Sequence, residues 1–359
     1  MTTAAATFSL TEVKELIDSR LFEYCKVRTV SAQQVGERYV LLWSTISSLF
    51  EAGGKRLRPY ILLSTFDAFA PNDEIEAVMP AALAQEMIHV AMLIHDDIID
   101  RDTIRYGIKN ISGQYNDNYE PFVESISERM HITQSSALLA GDVLISDAYR
   151  LLSKVDRSHE VVTQAISIFS NGIFDVVGGE LIDTESAFIP SLNLSAETIA
   201  RFKTASYSFI SPLTMGATLA NASAEQVALL HRFGEMIGIG YQLKDDLLGV
   251  FGNEDETGKS TSSDIREGKN TVLIEQFRTC GTAGQKKRFF ELFKNPEVTE
   301  DEINEARTIL LESGAKVRVD ERIAELKEAS EAVIDQLEVS SEAKQSFTEL
   351  LNLCLTRNV

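Results

Sequence analysis

The amino-acid sequence predicts an all-α protein, and three observations carry that prediction. Apolar residues recur at spacings of three and four through nearly every segment, sustained alternation of period two is absent, and turn formers cluster in a few gaps. The periodic segments are, in order, Phe8 to Leu21, Tyr39 to Phe50, Ile75 to Ile99, Ser135 to Leu152, Val161 to Ile182 and Val227 to Val250. Gaps are expected at Gly53-Gly54, Pro71-Asn72, Gly107 to Pro121, Ala187 to Asn193 and Gly252 to Gly268. Thr204 to Ala224 carries no charge, but its Ser, Thr, Asn and Pro212 make it read as a buried helix-turn-helix rather than a membrane span. The tail from Pro296 to Val359 is helical in pattern and richly charged, as expected of packing helices with solvated faces.

No compositional break or Pro/Gly/Ser-rich linker divides the 359 residues, so a single domain spanning residues 1–359 is expected. Cys25, Cys280 and Cys354 are too widely spaced for a CxxC pair or a disulfide framework, which suits a reducing compartment. The first 30 residues lack the basic start and apolar run of a secretory signal, and a cytoplasmic protein is expected. The net charge of −20 argues against nucleic acid as a partner. An acidic protein that acts on anions must focus its cations on one site. Lys55, Arg56, Arg58, Arg105, Lys203, Lys259 and Lys269 are the candidates.

Two acidic clusters lie within apolar helical segments. In LIHDDIIDRD (93–102), Asp96 and Asp100 are four apart and share a helix face, with Asp97 at its edge. Like charges stacked in apolar surroundings are costly without a cation, and oxygen-only ligands select a hard ion such as magnesium; the alternative is a solvated helix end. In YQLKDDLLG, Gln242 precedes Asp245 by three residues and shares its face, with Asp246 alongside. The basic segments complement them. GGKRLRP (53–59) puts two glycines before three cations and places Pro59 where a helix can start, a setting in which backbone amides can approach an anion. TGKSTSSDIREGK (257–269) carries Gly258-Lys259 and Gly268-Lys269 and reads as a phosphate-gripping lid or a plain solvated loop, and its spacing is not that of a nucleotide P-loop. Lys203, Thr204 and Tyr207 share one face of RFKTASYS.

In this order, GGKRLRP, Glu86-xx-His89, HDDIIDRD, KTxxY, YQLKDD and GK…D…GK resemble the trans-isoprenyl diphosphate synthase (polyprenyl synthetase) family over about Ala52 to Val272. The DDLLGVFG…TGK…DIREGKNTVL wording is similar to actinobacterial geranylgeranyl diphosphate synthases. The resemblance implies a single large helical bundle around a central apolar cavity, with the motif-bearing core at about 52–272 and C-terminal packing helices at about 296–359. It implies a homodimer that condenses isopentenyl diphosphate with C5 to C15 allylic diphosphates, with no nucleic acid and no membrane span. Asp96 and Asp100 match ligands of two magnesium ions on the allylic diphosphate, with Asp97 in support, and Asp245 matches the ligand of a third ion, manganese being an acceptable substitute. Arg105, Lys203, Thr204, Lys259 and Lys269 match groups around the allylic diphosphate, with Gln242 beside Asp245. Lys55, Arg58 and His89 match the isopentenyl diphosphate site.

The chain departs from the family pattern at three positions. Gly249 stands where the second motif usually has its last Asp, Tyr106 replaces the second Arg after the first motif, and Glu180 replaces a usual Gln. A tyrosine lacks the bidentate phosphate grip of arginine, so weaker isopentenyl diphosphate binding, or compensation by a nearby cation, is expected. Counting back from Asp96, Ala91, Ile88 and Ala84 mark successive turns of the expected product tunnel, each about 5.4 Å apart. Small Ala91 leaves its first floor open and Met92 narrows it, which favours C20 geranylgeranyl diphosphate over farnesyl or longer products. A terpene synthase lacks the GGKRLRP element, and a second ExxH needed for a di-iron bundle is missing. His95-Asp96 suggests an HD-type phosphohydrolase, with unpersuasive spacing to other histidines. A non-catalytic helical partner of a prenyl synthase is the rival from another class.

Overall fold

The computed structural model describes residues 8–186, 188–189, 195–252 and 262–356. By its internal contacts the chain divides into two compact units, Met1–Ser167 with Met215–Ala222, and Ile168–Thr214 with Ser223–Val359.

The first unit holds α1 (Leu10–Ala32), α2 (Glu37–Ala52), α3 (Leu57–Phe69), a 3-10 turn (Ile75–Ala77), α4 (Met79–Ile99), the two-residue strands β1 (Ile104–Arg105) and β2 (Ile108–Lys109), α5 (Ile111–Tyr119), α6 (Ile126–Leu152) and the start of α7 (His159–Ser186). Helix α1 opens on a capping box, in which Ser9 accepts from the Glu12 amide and Glu12 accepts from the Ser9 amide. Helix α4 is the hub. It is apolar on nearly every face from Met79 to Ala91, the pattern of a helix enclosed by others, and it packs most extensively on α6. Gly141 of α6 allows this, because a Cβ there would lie 2.1 Å from His95 Nε2. His95 is therefore seated in a notch of α6. A buried ion pair, Arg28 Nε to Asp147 Oδ2 at 2.8 Å, ties α1 to α6, and the Arg28 guanidinium lies 5.2 Å from the Trp43 ring centre.

The second unit holds the rest of α7, α8 (Ala196–Ala200), a π-helical segment (Arg201–Ile210), the first turn of α9 (Ser211–Leu219), α10 (Ala224–Phe251), α11 (Ser263–Glu267), α12 (Val272–Cys280), α13 (Ala283–Leu292), α14 (Glu300–Glu312), α15 (Ala315–Gln336) and α16 (Ser341–Leu355). Here α10 is the hub, packed on the π-helical segment, α15 and α16. The charged tail is helical as its pattern predicts, with capping boxes or Ser caps at the starts of α14 and α16. All three cysteines are free thiols.

Two local expectations are corrected, and one is refined. Thr204 to Ala224 is the expected helix, turn and helix, with the turn at Ala220–Asn221 before α10 and the chain helical through Pro212. The Ser211 amide reaches back five residues to Ser206, and the helix then runs on to Leu219. The wider π turn relieves the clash between a proline ring and the preceding turn, which normally breaks a helix. The gap at Gly107 to Pro121 contains α5, started by Asn110, whose side chain accepts from the Gly113 amide at 2.9 Å. The gap at Gly252 to Gly268 contains α11. Both helices are short and polar, so apolar periodicity could not mark them.

A π-helix is broader than an α-helix, and its neighbours make room with glycine. A Cβ on Gly179 of α7 would lie 2.4 Å from the Lys203 amide nitrogen, and one on Gly238 of α10 would lie 2.4 Å from Ala205 Cβ. The adjacent Gly178 has nothing within 4 Å of its Cβ position. Gly179→Ala should therefore destabilise the protein by about 1–3 kcal/mol through overpacking. Gly178→Ala should stabilise it by up to about 1 kcal/mol through helix propensity. Urea denaturation of both variants checks the contrast.

Candidate active site

The isopentenyl side of the site, as the sequence assigns it, lies in the first unit. It begins at the loop joining α2 to α3. Gly54 adopts φ 118°, and a Cβ there would lie 2.7 Å from Arg56 Nη1, so the GG pair is required by the backbone and by a close approach. Arg56 is itself left-handed at φ 52° and only 3% exposed. Its Nε donates to Asp18 Oδ1 at 2.7 Å, its Nη1 to Glu86 Oε1 at 2.7 Å and its Nη2 to the Phe50 carbonyl at 2.5 Å. This corrects one expectation, because Arg56 is a buried clamp rather than a cation available to an anionic ligand. The clamp fixes the loop against α1 and α4, with exposed Lys55 and partly exposed Arg58 on either side of it.

His89 follows Glu86 by one turn of α4. Burial, together with the Arg58, Arg105 and Arg56 guanidiniums, holds its pKa well below the usual imidazole value, so it is neutral. A neutral imidazole among guanidiniums suits an anionic ligand. Tyr106 stands in the same group and is influenced by Glu86, Arg105, Arg58 and Arg56, although burial is the main reason its pKa is raised. Tyr106 and Gly107 form the two-residue hairpin loop with φ 53° and 77°, the primed-turn geometry that matches strand twist. The hairpin sets the Tyr106 ring against the GG loop, with its Cγ 3.5 Å from the Cβ position of Gly53.

The first aspartate motif is divided by geometry. Asp97 is 3% exposed, and its Oδ1 accepts from Arg105 Nε at 2.7 Å and Nη2 at 2.5 Å. Burial raises its pKa and Arg105 opposes the rise. Asp96 is partly exposed, with Oδ2 3.7 Å from Arg105 Nη2, and Asp100 is the exposed C-cap of α4. The two residues expected to hold metal thus lie at the accessible end of the helix, while the supporting residue anchors Arg105. Behind them, Ala91 and Ile88 are 0% and 1% exposed, and Met92 is partly exposed.

The second unit carries the remaining assigned residues, apart from Lys259, which lies outside the described residues. On the π-helical segment, Lys203 Nζ lies 2.6 Å from Asp183 Oδ2 and 2.9 Å from Glu180 Oε2, both on α7. Thr204 Oγ1 donates to Gln242 Oε1 at 2.6 Å, which turns the amide so that its Nε2 donates to Asp246 Oδ1 at 2.8 Å. This relay links the KTxxY and QLKDD elements. Asp246 is pushed up to about 7 by burial, with Asp264 and Asp245 adding to the rise against the Gln242 hydrogen bond. Asp245 is exposed. Lys269 Nζ lies 3.3 Å from Asp264 Oδ1. Sequence reasoning missed Asp18, Asp183 and Asp264 as partners of these cations.

Among the described residues, no group of three His, Cys, Asp or Glu side chains could hold a metal ion by itself. Asp96 with Asp100, and Asp245 separately, are hard oxygen donors at accessible positions. Such a set fits magnesium, which takes one or two carboxylates and completes its shell with water and substrate phosphate.

The comparisons with known proteins agree with this chemistry. The polyprenyl synthetase family model matches residues 40–310. The short chain isoprenyl diphosphate synthase of Methanocaldococcus jannaschii is 34% identical over 273 residues, covering 75% of this chain and 76% of that protein. The geranylgeranyl diphosphate synthase of Methanosarcina mazei is 31% identical over 76% of this chain and 77% of its own length. Among solved structures, the geranylgeranyl pyrophosphate synthase from Corynebacterium glutamicum complexed with isoprenyl diphosphate and magnesium superposes with TM-score 0.88 at 28% identity, covering 98% of this chain and 100% of that one. With its all-α architecture, its aspartate-bearing helices and these matches, the chain belongs to the polyprenyl synthetase family and is a prenyltransferase.

Proposed function

We propose that this enzyme, working as one catalytic domain, condenses isopentenyl diphosphate with C5 to C15 allylic diphosphates and favours geranylgeranyl diphosphate as its product. The observation that carries this reading is the division of the first motif, with Asp97 committed to Arg105 while Asp96 and Asp100 occupy accessible positions beside a cationic group built around neutral His89. The non-catalytic alternative is disfavoured, because a partner subunit has no use for that division.

The reaction breaks an allylic C–O bond, forms a C–C bond from the isopentenyl double bond and loses a proton to restore an allylic product. Magnesium, when bound at Asp96, Asp100 and Asp245, supplies stabilisation of the departing diphosphate, with three ions in all and manganese able to substitute. Arg105, held by Asp97, together with Lys203, Thr204, Lys259 and Lys269, binds the allylic diphosphate. Gln242, turned by Thr204, orients Asp246 beside Asp245. Lys55, Arg58 and neutral His89 bind isopentenyl diphosphate, and apolar walls exclude water from the cation. The departing diphosphate takes the proton, so no dedicated side-chain base is required.

The assembly we propose is a homodimer. Helix α6 leaves Met130, Leu138 and Leu139 exposed, and α7 leaves Phe174, Val177 and Leu181 exposed, with Phe174 at 81%. By length and composition alone α7 could cross a membrane. Asp175, Glu180 and Asp183 lie along it, and a carboxylate is costly within a bilayer. A second copy of the chain is the occupant we propose for the exposed apolar residues of each helix. Sedimentation equilibrium should give the mass of two chains, and Phe174→Glu should shift it toward one.

Labelled isopentenyl diphosphate incubated with C5, C10 or C15 starters should be elongated to C20 with magnesium and not at all with chelator. Absence of elongation with every starter would refute the reading. In the same assay Ala91→Phe and Met92→Phe should shift the product toward C15. Met92 is the cleaner probe, since Ala91 is fully buried and phenylalanine there overpacks the helix. Tyr106→Arg should lower the KM for isopentenyl diphosphate several-fold, because a guanidinium adds a bidentate phosphate grip. A normal KM left unchanged by the substitution would count against a weakened isopentenyl site.

A further inference from the structure

Arg56 is fixed from three directions, and one of its partners lies outside the stretch that the family model matches. Nη1 donates to Glu86 on α4, Nη2 to the Phe50 carbonyl near the end of α2, and Nε to Asp18 Oδ1 on α1 at 2.7 Å. The family match begins at residue 40, so Asp18 is supplied by a helix that precedes it.

Helix α1 is built to hold that aspartate in place. Its capping box at Ser9 and Glu12 fixes the first turn, and Val13, Ile17, Leu21 and Cys25 recur every four residues as a buried stripe. Asp18 stands at the edge of the stripe, with Oδ1 on Arg56 and Oδ2 paired with Lys14 one turn earlier. Both carboxylate oxygens are thereby engaged. Arg56 is left-handed at φ 52°, a conformation that a non-glycine residue keeps only where its surroundings impose it. It is the N-cap residue of α3 and stands between Lys55 and Arg58, so the course of the chain through both cations follows from its conformation.

Charge decides what each carboxylate contributes. Glu86, nearly fully buried with Arg56, already neutralises the guanidinium. Asp18 is partly exposed, so its pairing adds little net stability and chiefly fixes the direction of Nε.

We propose that Asp18 is a positioning residue for isopentenyl diphosphate. Through Arg56 it holds the GG loop in the conformation that presents Lys55 and Arg58 to the substrate, so α1 sets affinity on the isopentenyl side alone. This assignment rests on the prenyltransferase reading, since it takes Lys55 and Arg58 as diphosphate-binding groups. The same helix carries its own control, because Arg28 further along α1 is paired with buried Asp147 on α6.

The test combines calorimetric binding of isopentenyl diphosphate to the resting enzyme, steady-state constants for both substrates and melting temperature. Asp18→Asn should raise the Kd and KM for isopentenyl diphosphate about five-fold or more, the loss of one charge-assisted hydrogen bond, with kcat and the allylic KM close to wild type. Asp18→Glu, which keeps the carboxylate, should recover most of that affinity. Asp147→Asn should lower the melting temperature more than Asp18→Asn does, yet bind isopentenyl diphosphate as the wild type does. The inference is overturned if Asp18→Asn leaves isopentenyl diphosphate binding unchanged, if both substrates weaken together, or if Asp147→Asn weakens isopentenyl diphosphate equally. If the wild type elongates no starter, the prenyltransferase reading falls and this inference falls with it.

Discussion

Negative charge placed on apolar helices has to be compensated, and the partner chosen for each carboxylate decides its role. Asp97, Glu86 and Asp18 are compensated by buried guanidiniums and become structural; through Arg105 and Arg56 they fix the hairpin and the GG loop. Glu180 and Asp183 face Lys203, and Asp264 faces Lys269. Asp96, Asp100 and Asp245 sit where solvent reaches them. In the proposed reading, metal and substrate chemistry belongs to this last group.

The same logic gives the basic residues a dual character. Arg105 is simultaneously an anchor for Asp97 and a neighbour of Asp96, so its guanidinium is oriented before any ligand arrives. Such prior orientation lowers the reorganisation required when charge develops on a leaving group. Lys203 differs, since it is held by two carboxylates on α7, one of which, Glu180, replaces a neutral glutamine in the usual pattern. In the proposed reading Lys203 exchanges carboxylate for phosphate on binding, an exchange that Glu180 makes harder than glutamine would.

Much of this was legible in the sequence, for identifiable reasons. Helices α4 and α10 are long and strongly periodic, so both aspartate motifs could be placed on helices from residue spacing alone. The short polar helices α5 and α11 carry no apolar period and were read as gaps. The π-helical form of Arg201–Ile210 was not readable from its own residues, since the room for it is made by glycines on other helices, Gly179 and Gly238. The cation list could not separate Arg56 from Lys55 and Arg58. Only burial and three hydrogen bonds distinguish a clamp from a ligand, and none of these is written in GGKRLRP.

The most direct test of this division of labour is a crystal structure with magnesium and a non-ionising thio analogue of an allylic diphosphate. Carboxylate oxygens of Asp96, Asp100 and Asp245 are predicted at about 2.0–2.1 Å from the ions, with Asp97 still accepting from Arg105. Asp97 released from Arg105 and bound to metal, with Asp96 or Asp100 turned away, would contradict the account.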